Sequence, residues 1–104
     1  MLRIYKVVLE VVKQVQPVIV ELERRDGDLA RQMRRAAASV ALNVAEGSYS
    51  RGKNRGARYH TAMGSMRETL SCIEIGEALG YVNVEGSLLR RIDHVLGTLY
   101  KVSK

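Results

Sequence analysis

Apolar side chains in the first part of the chain recur at Tyr5, Val8, Val12, Val15, Ile19 and Leu22, a 3-4-3-4-3 spacing. That is the period of a helix seam packed against other helices. A third segment repeats it through Tyr59, Ala62, Met66, Leu70 and Ile73, with Met63, Thr69, Cys72 and Gly76 alongside. A last segment repeats it through Leu88, Ile92, Val95, Leu99 and Val102. Between the first and third lies a stretch of small residues, Arg34 to Gly47, with the same helical period. Nothing alternates apolar and polar residues as a half-buried strand would, and Pro17 is the one proline. The spacing predicts an all-α chain with helices over about 2–24, 29–47, 54–79 and 84–102. Short connections between four amphipathic helices point to an up-down-up-down bundle. With 104 residues, 46% of them apolar, the chain makes a single domain, 1–104, that can bury its own core.

Local signals set the expected boundaries. Asp26-Gly27-Asp28 offers a carboxylate cap and early negative charge to the amides of the second helix. Gly47 reads as its stop, followed by a loop from Ser48 to about Lys53. Leu79-Gly80 reads as the end of the third helix and Asn83 as the cap of the fourth. Pro17 removes one intrahelical bond, which predicts either a kink or a break with a new first turn. Ile4, Val7, Val11 and Val18 form a second apolar stripe beside the first. One core needs one stripe, so this face is expected to pack on another subunit, the alternative being a broad buried face within one bundle.

Cys72 is the only cysteine, which excludes an internal disulfide framework and any Cys-built zinc site. The longest apolar run, Ala36 to Ala45, is broken by Ser39 and Asn43 and is too short and polar to span a bilayer. Lys6, Glu10 and Lys13 interrupt the first apolar stretch, so it is no secretory core. The expectation is a soluble, reduced, cytoplasmic protein with no membrane partner.

Charge is concentrated. The formal net charge is +6, from 17 basic and 11 acidic residues. Residues 1–23 are neutral overall, 24–67 carry +7, 68–89 carry −4, and 90–104 carry +3. Arg51, Lys53, Arg55, Arg58 and Arg67 lie in a stretch free of acidic residues, and Arg31, Arg34 and Arg35 precede it. Guanidinium forks fit phosphate oxygens and stack on bases. Tyr49 and Tyr59 flank the loop, where they can stack on unpaired bases. Arg34 and Arg35 have an alternative, pairing with Glu46, Glu68, Glu74 or Glu77 across the bundle.

Ser39, Asn43 and Glu46 share one stripe of the second helix. Polar groups so placed usually satisfy each other or a neighbouring turn and fix register. Asn43 and Glu46 are expected to bond to the loop or to Ser65 of the third helix, a structural role.

Catalytic constellations fail on spacing. Gly47 to Asn54 matches the Gly-x-x-x-x-Gly-Lys of a phosphate loop, yet Asn54 replaces the Ser or Thr that holds magnesium and a helix replaces the preceding strand. Its glycines are expected to give the turn backbone freedom. His60 and His94 lie on different helices outside any two-His zinc spacing. Asp93 and His94 are adjacent and point apart. No paired Glu-x-x-His occurs, and Glu74 and Glu77 read as a solvated face. Cys72 reads as a small core residue. The expectation is a non-enzyme, with no catalytic residue, cofactor or metal.

The second helix carries a resemblance. Arg34, Arg35, Ala36, Ser39, Val40, Asn43, Val44, Ala45, Glu46 and Gly47 are similar to the Arg-Arg-Ala-x-x-Ser-Ile-Pro-x-Asn-Ile-Ala-Glu-Gly pattern of proteins encoded in 23S rRNA intervening sequences. Ala62, Gly64, Ser65 and Glu68, with Leu79-Gly80-Tyr81, resemble that family's second element. Ala41 stands where the family has proline, and the usual aromatic-proline pair before the second helix is absent. The resemblance implies a four-helix bundle assembling as a homo-oligomeric ring, commonly a homopentamer. It also implies a distant likeness to the accessory variability protein of diversity-generating retroelements, a basic barrel that binds nucleic acid and a reverse transcriptase.

The sequence therefore points to a non-enzymatic, self-associating bundle that binds RNA or DNA through arginines around the loop between helices two and three. The rival reading is a scaffold for a protein partner, using the acidic 68–89 stretch and the second stripe of helix one.

Overall fold

The structure, a computed structural model, describes residues 3–104. Its helices are α1 (Arg3–Glu23), α2 (Gly27–Tyr49), α3 (Lys53–Ala78) and α4 (Gly86–Val102), and the described residues contain no strand. Residue 2, where the spacing starts the first helix, lies outside the described residues.

On α1 the buried residues are Ile4, Val8, Val11, Val15, Ile19 and Leu22. Tyr5, Val7, Val12 and Val18 are half-buried against this core. This takes Ile4 and Val11 out of the expected interface stripe, because they are 5% and 1% exposed within their own bundle. From Val8 and Val15, one turn back reaches two apolar neighbours in each case. Packing chose Ile4 over Tyr5 and Val11 over Val12 as the deeper member. A break at Pro17 is also overturned, since α1 runs unbroken through it. Pro17 is exposed, so the bond it removes is lost on the solvent side of the helix.

A tight turn at Arg24-Arg25 leads to Asp26, whose carboxylate accepts the Leu29 N–H at 3.0 Å and caps α2. Helix α2 then continues two residues beyond the expected stop, to Tyr49. Gly47 is a buried helical residue rather than a terminator, because the ring of Tyr59 on α3 packs directly on it.

Helix α3 ends in a Schellman motif. The Tyr81 N–H donates to the Gly76 carbonyl at 2.8 Å and the Gly80 N–H to the Glu77 carbonyl at 3.0 Å. Asn83 does not cap α4; Glu85 holds that position and gives no side-chain cap bond. The Glu77 carboxylate accepts the Val84 N–H at 3.1 Å, which ties the segment before α4 to α3 and delays the helix to Gly86.

Each helix packs on the next and α4 returns to α1, giving a four-helix bundle. The largest fully buried side chains include Tyr59, Leu22, Met33, Met66, Ile92 and Leu99, an aliphatic core with a single ring. The radius of gyration is 13.5 Å, near the ~13 Å of a compact chain of about 100 residues. Cys72 is a free, buried thiol whose pKa is raised by burial and, second, by the charge of Glu68.

Candidate nucleic-acid interface

Helices α2 and α3 are joined by a half-buried polar seam. The hydroxyls of Ser39 and Ser65 lie 2.8 Å apart. Asn43 Nδ2 donates back along α2 to the Ser39 carbonyl at 2.9 Å and to Ser39 Oγ at 3.1 Å. Ser65 thus meets Ser39, not Asn43. Glu46 is exposed and stays out of the seam, and only its backbone carbonyl is used, accepting Ser50 Oγ at 2.9 Å.

Beyond this seam the basic residues open to solvent. Arg31, Arg34, Arg35, Arg51, Lys53, Arg55, Arg58 and Arg67 are all exposed. Arg31 is engaged by Asp28 one turn earlier. Arg34 pairs with Glu23 of α1 at 3.1 Å, not with Glu46, Glu68, Glu74 or Glu77, the alternative partners the sequence offered. These two cations are partly neutralised locally, though pairs so exposed contribute little stability. Arg35, Arg51, Lys53 and Arg67 take part in no ion pair among the described residues.

The loop orients two of the others. Arg55 Nε donates to the Ser50 carbonyl at 3.0 Å, closing the turn on itself. Arg58 donates to Asn43 Oδ1 at 3.4 Å, a long contact that links the basic cluster to the polar seam. Gly52 caps α3 at φ +59°, a backbone angle that side-chain-bearing residues rarely adopt. The turn freedom expected of the loop glycines belongs to Gly52 and not to Gly47. Helix α2 fills the position of the strand that a phosphate loop requires, so Gly47 to Asn54 is a helix end and a turn.

Tyr49 is 80% exposed and available for stacking, whereas Tyr59 is 2% exposed and buried in the core. Tyr59 is therefore removed from the candidate contact residues. The last turn of α4 joins the site instead. The Ser103 carbonyl lies where a side chain on Gly56 would sit 3.1 Å from it. A groove between these elements is lined by Gly52, Lys53, Gly56, Ala57, Ser103 and Lys104. Lys104 Nζ stands 4.4 Å from the centroid of the Tyr100 ring. The only sequence signal for this meeting is Gly56, a glycine one turn into α3.

No group of three or more His, Cys, Asp or Glu able to hold a metal occurs among the described residues. No helix among them is long and apolar enough to cross a membrane. The family model for 23S rRNA-intervening sequence proteins matches residues 1–101, all of α1 to α3 and α4 through Lys101. The chain belongs to this family. No curated protein matches it.

The residues that resemble the 23S rRNA-intervening sequence family have identifiable structural work here. Ser39, Asn43 and Ser65 form the seam, Gly47 admits the Tyr59 ring, and Leu79-Gly80-Tyr81 form the Schellman turn.

Proposed function

We propose that this member of the 23S rRNA-intervening sequence family is a non-enzymatic cytoplasmic module that holds RNA or DNA by its phosphates, through the cations around the α2–α3 loop. The observation that carries this reading is the order of charge along α3. Lys53, Arg55 and Arg58 stand near its N-terminal end, while Glu68, Glu74 and Glu77 occupy its second half. The first turn holds no acidic residue, the last turn no basic one, and Gly52 supplies no side-chain cap. The helix dipole is positive at the N-terminus, so Lys53 and Arg55 in the first turn and Glu77 in the last each forgo about 0.3–1 kcal/mol that the reverse order would contribute. Cations crowded where they weaken their own helix are an exception to local consistency of the kind that functional sites show. Together with the unpaired Arg51, they form a surface suited to a polyanion.

The fuller architecture belongs to the same reading: up-down-up-down bundles assembled as a homo-oligomeric ring, commonly a pentamer. The contacts Ser39–Ser65, Gly47–Tyr59, Gln14–Arg91 and Gly56–Ser103 agree with alternating helix directions. Exposed Leu42, Ile75 and Leu79 offer apolar area for self-association.

The test is salt dependence. Replacing Arg51, Lys53 and Arg55 together with glutamine reduces the slope of log K against log salt by roughly 2–3 while leaving the melting temperature nearly unchanged. Unfolding or dissociation of the variant assigns those residues to the bundle and ends the reading. A second reading, a docking surface for a protein partner, draws on Ile75 and Leu79, exposed at 48% and 54% within the acidic stretch. A partner retained after nuclease treatment supports it.

A further inference from the structure

We infer that the loop surface takes single-stranded nucleic acid, anchored by bases stacked on Tyr49, at the end of α2, and on Tyr100, on the turn of α4 that meets the start of α3. This rests on the phosphate-binding reading and adds what that reading lacks, a means of telling unpaired from paired strands.

Of the five tyrosines, Tyr59 is buried and Tyr5 and Tyr81 are half-buried. Tyr49 and Tyr100, at 80% and 54% exposure, are the open ones. Both lie at helix ends: Tyr49 is the last residue of α2, and Tyr100 belongs to the last turn of α4. The approach of Ser103 to Gly56 brings that turn of α4 against the start of α3, so Lys53 and Lys104 line one groove. Lys101, exposed on the same turn of α4, adds a further cation.

Charge alone favours duplexes, which carry about one phosphate per 1.7 Å of axis. The exposed rings add a different selectivity. In a duplex both faces of an interior base are already covered by its neighbours, so a tyrosine held on a helix finds no face to stack on. In a single strand the faces are free, and stacking on aromatic side chains is tolerant of sequence. Lys104 already sits over the Tyr100 ring at 4.4 Å, which marks that face as able to receive a planar or cationic group. A base entering there displaces the ammonium toward the backbone phosphate of the same strand, so one local contact is exchanged for two with the ligand.

The experiment is fluorescence anisotropy of the full chain with a short labelled single strand and with a duplex of equal length, in dilute buffer. Tyr49→Ala and Tyr100→Ala each weaken single-strand binding about tenfold and leave duplex binding unchanged, and Tyr100→Phe retains binding because the ring remains. Equal binding of single strands by the alanine variants and the parent overturns the inference and leaves the phosphate reading intact. So does an equal loss on both ligands. Failure of the parent chain to bind either ligand removes the phosphate reading itself. Thermal melts of each variant confirm that the fold survives these surface changes.

Discussion

The ring of Tyr59 occupies the space in which any side chain on Gly47 would have to stand. A methyl group at Gly47 would fall 2.4 Å from Tyr59 Cε1 and 2.8 Å from Cδ1. With the ring 2% exposed, neighbouring side chains hold it in place. This contact lets α2 and α3 approach closely beside the basic loop.

Gly47→Ala is therefore destabilising even though alanine is the better helix former. The helix gains about 1 kcal/mol of propensity. The overpacked ring costs typically 1–3 kcal/mol or more, since no open space receives it. The net loss appears as a lower melting temperature. Adding Tyr59→Leu to the alanine variant costs less than the same change in the parent, a non-additivity that urea titrations of the four proteins measure.

The Ser39–Ser65 contact couples the two helices energetically. Ser39→Ala leaves the half-buried Ser65 hydroxyl without this partner, Ser65→Ala leaves that of Ser39 with Asn43 alone, and each change costs about 1 kcal/mol. The double variant costs less than the sum of the singles, by roughly 0.5–1.5 kcal/mol. Additive effects in a denaturant cycle would show that the hydroxyls do not depend on each other.

Asp26→Ala removes the acceptor for the Leu29 N–H. The expected loss is about 1 kcal/mol, which lowers the melting temperature by about 4–8 °C in a domain of this size. Any affinity of the loop for nucleic acid stays unchanged, because the cap lies at the opposite end of α2.

Cys72 makes stability depend on alkaline pH. Burial raises its pKa above the ordinary 9.0, so the folded chain keeps the proton after the unfolded chain has released it. The stabilisation is complete below about pH 9 and is lost as pH rises through the folded value. Comparing the parent with Cys72→Ala in urea isolates the effect: the stability difference narrows above about pH 9 only through this thiol. The native thiol also resists alkylating reagents that label it once unfolded.

Periodicity made the four helices legible, and the Asp26 cap and the Leu79-Gly80 stop were readable because each depends on adjacent residues. What the sequence misplaced depends on residues far apart in the chain. Tyr59 fitted both the core period of the third helix and the flank of the basic loop, and nothing near it announces the notch at Gly47 that decides between them. Gly47 looked like a stop for the same reason. Ile4 and Val11 looked like surface because Tyr5 and Val12, equally apolar, fit the period as well. Arg34 lies eleven positions from Glu23, and the turn at Arg24-Arg25 brings them together across two helices. At the site, the basic loop was visible as composition, while Tyr100 and Lys104 became visible only when α4 was seen to end against Gly56.

The 26 residues of α3 extend about 39 Å, with backbone partial charges and side-chain formal charges pointing the same way. Such a rod feels a torque in an electric field before anything touches it. If the loop binds a polyanion as proposed, the order of side-chain charge along α3 favours a loop-first approach, within the roughly 8–10 Å that ordinary salt leaves unscreened. Reversing the signs at the two ends of this one helix would slow arrival while leaving every contact in the core untouched.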